Sequence, residues 1–187
     1  MSSVNGHILV VDDDRTNRMM LTYRLEVGGL QTATAENGSI ALQMLRQEPF
    51  DLILLDILMP ELDGYGTLQV IKSDVKLRDI PVVMMSSLGE MDSVMRCLEL
   101  GAEDYLPKPL DGLLLTSRVE GLLLKGRLHR LEEDYESRAS LLSEALPAAV
   151  QGTLNPLMLK DLAARTDGLG RLAQEIQKIQ SAAQAGD

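Results

Sequence analysis

The sequence predicts an α/β protein built on a doubly wound parallel sheet. Short apolar runs recur between residues 7 and 107, and stretches with helical spacing separate them. The runs are near-continuous in hydrophobicity, as in parallel strands covered by helices on both faces. Polar residues cluster at the ends of several runs. Open sheets of this kind bind ligands beyond the carboxyl ends of their strands, where the winding reverses.

"HILVV" (7–11) is a short run with β-branched residues and reads as a buried strand. Residues 15–29 follow as a helix, with Met19, Met20, Tyr23 and Val27 at helical spacing and Gly28 and Gly29 ending it. "QTATA" (31–35) alternates and reads as a second strand. Residues 37–48 form a helix with Ile40, Leu42, Met44 and Leu45 inward, stopped by Pro49. "DLILLD" (51–56) is the most apolar strand. A helix over 64–75 follows, weakened by Gly66, then a strand over 80–86. A fourth helix spans 89–101, closed by Gly101, and "EDYLP" (103–107) is a short fifth strand. Connections between such strands are right-handed.

Residues 111–146 contain no proline. This helix closes the domain and then continues. In its later part Gly121, Leu124, Leu128, Leu131, Tyr135, Arg138, Leu142 and Ala145 fall at alternating spacings of three and four, with charged residues between them. That is coiled-coil patterning. The alternative is an amphipathic helix folded back on its own domain. Pro147 is expected to end the helix. Residues 147–187 read as a helical tail or the start of an output region, with Asn155 capping a helix at Pro156. Leu162, Leu169, Leu172, Ile176 and Ile179 follow at helical intervals.

Apolar residues make up 45% of the 187, enough for a core. The 18 basic and 28 acidic residues leave a net charge of −10, which argues against binding nucleic acid through phosphate neutralisation or an anionic membrane surface. A basic protein or a divalent cation suits it better. The single cysteine, Cys97, rules out an internal disulfide and reads as a packed apolar side chain. No stretch approaches the roughly 20 apolar residues of a membrane helix. "MSSVNGH" lacks the charged-then-apolar pattern of a signal peptide, so the expected location is cytoplasmic.

The first strand ends in Asp12 and Asp13, the third in Asp56, the fourth in Ser86 and Ser87, and Lys108 follows the fifth. A sheet wound as above brings them to one edge. Clustered carboxylates stay ionised together only if a cation or hydrogen-bond donors offset their repulsion. Oxygen ligands suit Mg²⁺. An ammonium and a hydroxyl then fit a site where a carboxylate attacks phosphorus. Asp14 reads as the N-cap of the first helix.

Four segments carry a resemblance: "VVDDD" (10–14), "LLDILMPELDG" (54–64), "VVMMSS" (82–87) and "YLPKPL" (105–110). With 30 positions from Asp56 to Ser86 and 52 from Asp56 to Lys108, the chain resembles the receiver domain of two-component response regulators, of the chemotaxis-receiver kind, over residues 5–125. The resemblance implies a flavodoxin-like, five-stranded sheet of order 2-1-3-4-5. It implies that Asp56 accepts a phosphoryl group from a histidine kinase or phosphotransfer protein. By the same resemblance Asp13, Asp56 and the Leu58 backbone carbonyl hold Mg²⁺, and Asp12 does so through water. Ser86 bonds the phosphoryl oxygen, Lys108 pairs with it, and Tyr105 turns inward on activation. The Lys108–Pro109 bond is a candidate cis peptide.

The expected organisation is a receiver over 1–125, an extended fifth helix over 110–146 that pairs in a parallel homodimer through 121–145, and the tail over 147–187. No catalytic output signature follows the receiver, so the chain is not expected to be an enzyme in its own right. Two other readings are open. A phosphatase of the haloacid dehalogenase type uses an early D-x-D motif, which Asp12 and Asp14 superficially supply; its turnover of a small phosphate ester is the discriminating observation. A phosphorylation-dead dimerisation module would fail to react with a phosphodonor and Mg²⁺.

Leu58 and Leu88 each lie two positions beyond a site residue, where the resemblance places residues that influence the attacking water. Apolar side chains there predict a long-lived phosphorylated state. Loss of phosphate from the isolated phosphoprotein checks this, and a half-life of seconds contradicts it.

Overall fold

The computed structural model describes residues 5–87, 91–150, 160, 163–164, 170–171 and 173–178. The elements run β1 (His7–Val11), α1 (Arg15–Val27), β2 (Gln31–Ala35), α2 (Gly38–Gln47), β3 (Leu52–Asp56), α3 (Gly64–Ser73), β4 (Val82–Ser86), α4 (Met91–Glu99), β5 (Asp104–Pro107) and α5 (Gly112–Val150). The five strands form one sheet of order β2-β1-β3-β4-β5, parallel throughout. This is the flavodoxin-like order the resemblance implied. The winding reverses between β1 and β3, so a crevice opens at their carboxyl ends.

The strands are apolar at successive positions because each has two covered faces. Leu9, Val11, Ile53, Leu55, Val82 and Met84 pack into one cluster with Leu42, Leu45, Leu68, Ile71 and Cys97. Ile8, Val10, Leu52, Leu54, Val83 and Met85 pack into the other with Leu21, Leu25, Leu115, Val119 and Leu123. Adjacent residues of a strand point to opposite sides, so each strand feeds both clusters. Each large aliphatic side chain fully buried this way contributes about 1.5–3 kcal/mol.

Helix starts follow local chemistry. Asp14, Asn37 and Asp63 cap α1, α2 and α3 by accepting from the backbone N–H groups of Asn17, Ile40 and Gly66. Gly28 is the C-cap of α1. Gly29 and Gly101 follow their helices with φ of 86° and 93°, a region that glycine adopts without strain.

The inward face of α1 differs from the expected one. Met19, Tyr23 and Val27 are 62%, 70% and 72% exposed, and Met20 is also exposed, while Leu21 and Leu25 are fully buried. The helix carries apolar residues on two sides. Its phase is set by packing of Leu21 and Leu25 into the core, and Arg18, on the same face, reaches back to the loop after β1.

Pro147 does not end α5, which continues to Val150, so residues 148–150 are helical rather than linker. A proline removes one backbone hydrogen bond to the residue four before it. Here that loss falls in the helix's last turn and stops nothing upstream. Leu124, Leu128, Leu131 and Tyr135 are exposed. The side chains of Arg138, Leu142 and Ala145 lie outside the described ones.

The chain divides into two compact units, Met1–Arg127 and Leu128–Asp187. In the second, residues 173–178 are helical, Ala173 is buried, and the Gln174 side chain donates to the Ala163 carbonyl at 2.9 Å. Asn155, Pro156, Leu162, Leu169, Leu172 and Ile179 lie outside the described residues. No described helix is long and apolar enough to cross a membrane.

The observed phase of α1 predicts that Leu25→Ala costs about 2–5 kcal/mol, and that Tyr23→Ala changes stability by less than about 0.5 kcal/mol. Equilibrium denaturation of both variants checks the contrast.

Candidate functional site

β1 ends at Val11, and Asp12 begins the loop beyond it. The Asp12 backbone N–H donates to the Ala35 carbonyl at 3.3 Å, which extends the pairing with β2 by one residue and holds the side chain in the crevice. Asp12 is fully buried. Its Oδ1 accepts from the Asp14 N–H at 2.9 Å, and the Asn17 amide lies 3.3 Å from both carboxylate oxygens. Arg18 Nη1 donates to the carbonyls of Asp12 at 2.6 Å and Asp13 at 3.0 Å. Asp13 is exposed.

β3 delivers Asp56, which is buried, with the Ile57 N–H donating to its Oδ1 at 2.9 Å. The loop then folds back, and the Gly64 N–H donates to the Ile57 carbonyl at 2.9 Å. A Cβ on Gly64 would meet the Asp56 carbonyl and lie 2.7 Å from the Ile57 Cα, so only glycine permits this approach. Glu61, at φ 65°, turns the loop, and its carboxylate accepts from Asn37 at 3.3 Å.

β4 delivers Ser86, which is fully buried. The Lys108 N–H donates to the Ser86 carbonyl at 2.8 Å, which aligns the end of β5 with β4. The Lys108–Pro109 peptide is cis. From there Lys108 Nζ reaches Asp12 Oδ2 at 2.7 Å and Asp56 Oδ2 at 2.8 Å.

Three strands remote in sequence thus meet at one point. Asp12, Asp13 and Asp56 each offer an oxygen, all within 4.8 Å of one another. The charge balance is uneven. Burial pushes the Asp56 carboxyl above its usual range; the Lys108 ammonium opposes this and the Asp12 charge adds to it. Burial pulls Lys108 down, yet its hydrogen bonds and charge contacts with Asp12 and Asp56 outweigh that and raise it. The two shifts reflect one arrangement: the lysine has two partners, while the aspartates share one cation and repel each other. A second cation relieves that excess. The donors are all oxygen, the set a hard divalent ion such as Mg²⁺ takes.

Ser86 is in hydrogen-bond contact with Tyr105, whose hydroxyl burial moves above the usual tyrosine range. Tyr105 is half-buried against the cluster that holds Cys97. Leu58 follows Asp56 by two residues and is 53% exposed. Leu88 lies outside the described residues. Asp14 is occupied as the α1 cap, and its carboxyl lies below the usual range because the Asn17 N–H bonds it.

Sequence reasoning passed over Asn17, Arg18 and Arg24. Arg24 Nη1 donates to the Leu110 carbonyl at 3.0 Å, just past the cis peptide. Asn17 and Arg18 lie in the first turn of the helix that leaves the site, shortly after the paired aspartates. That position was the available signal, and polar residues in a helix's first turn are too common to stand out.

Fold and acid cluster together match those of a receiver domain. The chain belongs to the response regulator receiver domain family, whose model matches residues 8–120. It is 39% identical over 123 residues to "Probable transcriptional regulator ycf27" of Pyropia yezoensis, covering 66% of this chain and 49% of that protein. It is 33% identical over 167 residues to the response regulator PleD of Caulobacter vibrioides, covering 89% of this chain and 34% of that protein. Among solved structures, the receiver domain of a signal transduction histidine kinase from Syntrophus aciditrophicus is 40% identical with a TM-score of 0.61, covering 64% of this chain and 91% of that one. The chain therefore spans about half the length of its ycf27 relatives and a third of PleD.

Removing one partner of a buried ion pair strands the other's charge. Lys108→Ala should destabilise the metal-free protein by about 3 kcal/mol, and added Mg²⁺ should raise its melting temperature more than that of the parent. Thermal unfolding with and without Mg²⁺ checks both.

Proposed function

We propose that this chain is a phosphorelay response regulator that accepts a phosphoryl group on Asp56 from a histidine kinase or phosphotransfer protein. The observation that carries the reading is the Lys108 ammonium bridging Asp12 and Asp56 at 2.7 and 2.8 Å, with Asp13 in the same cluster.

A carboxylate oxygen of Asp56 attacks the phosphorus of a phosphohistidine. The new O–P bond forms as the P–N bond breaks, and the electron pair leaves with the imidazole nitrogen, which takes up a proton. Lys108 gives up part of its contact with the aspartates and balances charge on the phosphoryl oxygens. The Ser86 hydroxyl donates to one of them. Asp13, Asp56 and the Leu58 carbonyl would hold Mg²⁺ directly, and Asp12 through water; the ion supplies charge neutralisation for the incoming phosphate. The exposed side chains of Met19, Met20, Tyr23 and Val27 give α1 an apolar surface for the donor protein.

The phosphoryl group draws on Ser86, which contacts Tyr105, and this biases β5 and the adjoining α4 and α5 between two arrangements. Met84 and Met85 are core residues along that route and Met95 is exposed on α4; methionine adapts to changed packing. α5 carries the change into a parallel homodimer through residues 121–145. The receiver is assigned to 1–125, the signalling helix to 110–146 and the remainder to a helical output. The exposed Leu124, Leu128, Leu131 and Tyr135 support the pairing surface.

A dehalogenase-type phosphatase is disfavoured because Asp14, the second acid of its motif, points away to cap α1. Its ycf27 relatives are described as transcriptional regulators, but the match covers about half of each, so DNA binding is not part of this proposal.

Incubation with acetyl phosphate and Mg²⁺ should add one phosphoryl group by mass, and Asp56→Asn should add none. No incorporation, or equal incorporation in the variant, overturns the proposal.

A further inference from the structure

Two arginines on α1 have a role that neither the ion cluster nor the core accounts for. Arg18 and Arg24 are both half-buried and sit six residues apart. Each aims Nη1 at backbone carbonyls. Arg18 grips the loop after β1, at the Asp12 and Asp13 carbonyls. Arg24 grips the loop after β5, at the Leu110 carbonyl, two residues beyond Lys108. These two loops carry the charges that must meet: the acids on one and the ammonium on the other.

We propose that Arg18 and Arg24 are positioning residues that brace the two loops on one rigid helix and so fix the distance from Lys108 to the acidic cluster. The proposal rests on the phosphoacceptor reading and deepens it. A helix is a stiff spacer, and its phase is locked by the buried Leu21, between the two arginines, and Leu25, next after Arg24. Guanidinium groups suit the task because each presents several donors in a fixed plane and stays charged. Loop carbonyls satisfied from α1 have less freedom to turn, so the side chains beside them are held ready. Supporting groups that orient a metal's ligands typically affect affinity by about 10–100-fold.

The two grips act on different parts of the reaction. Arg18 holds the Asp12–Asp13 backbone, so it bears on cation binding. Arg24 holds the Lys108 loop, so it bears on how phosphoryl oxygens are met. Gly112 gives a second way to reach the Arg24 grip. A Cβ there would lie 3.0 Å from Arg24 Nη1, close enough to press on the guanidinium while leaving every charge in place.

The test uses the full chain and measures three quantities for each variant: Mg²⁺ affinity by calorimetry, phosphorylation rate from acetyl phosphate at saturating Mg²⁺, and melting temperature. Arg18→Met should weaken Mg²⁺ binding by about tenfold. Arg24→Met and Gly112→Ala should slow phosphorylation several-fold while leaving Mg²⁺ affinity within about twofold. Arg18→Lys, which keeps the charge but not the planar fork, should recover only part of the affinity. If affinity and rate fall together in every variant, in step with melting temperature, the arginines are structural only and the proposal fails. If the variants match the parent in both quantities, it fails as well. Failure of the underlying reading looks different: the parent itself then neither binds Mg²⁺ nor takes up phosphate.

Discussion

One ammonium shared by two buried carboxylates is the interaction on which the rest of this structure depends. Lys108 lies 2.7 Å from Asp12 and 2.8 Å from Asp56, and both acids are removed from water. Strand order makes the meeting possible. β1 and β3 are neighbours, so their terminal acids stand side by side. β5 lies two strands beyond β3, about 10 Å away at ordinary sheet spacing. A long, flexible side chain ending in a point charge spans that gap. An arginine's planar fork would impose a geometry the two acids do not offer.

The same interaction explains why the site is poised rather than satisfied. Among the described residues Lys108 alone forms ion pairs with any of the three clustered carboxylates, so negative charge is in excess around two buried acids. A divalent ion and a phosphoryl group, arriving together, suit that imbalance: the ion answers the acids, and the phosphate answers the lysine. Burial of Asp56 raises the free energy of its ionised form. Around this centre, hydrogen bonds from Ile57, Asp14 and Asn17 and the close approach at Gly64 hold the acids in place.

Much of this was legible in the residues. The apolar runs "HILVV" and "DLILLD" mark central strands because both of their faces are covered. Asp13, Asp56, Ser86 and Lys108 were legible because they fall at strand ends at matching spacings. The inward face of α1 was not, since Met19, Met20, Tyr23 and Val27 look as apolar as Leu21 and Leu25. Only tertiary packing selects between two such stripes. Pro147 misled because a proline's cost depends on where the helix would otherwise end. Arg18 and Arg24 were hidden for a different reason: their partners are backbone carbonyls, which leave no mark in side-chain patterns.

The most direct test is a crystal structure grown with Mg²⁺ and beryllium fluoride, a mimic of the phosphoryl group. The account predicts the fluoroberyllate bonded to the Asp56 carboxylate, Mg²⁺ between Asp13 and Asp56, and Lys108 Nζ turned from Asp12 toward fluorine. Fluoroberyllate on another residue, or Lys108 still bridging Asp12 and Asp56 with no ion among the three acids, would contradict it.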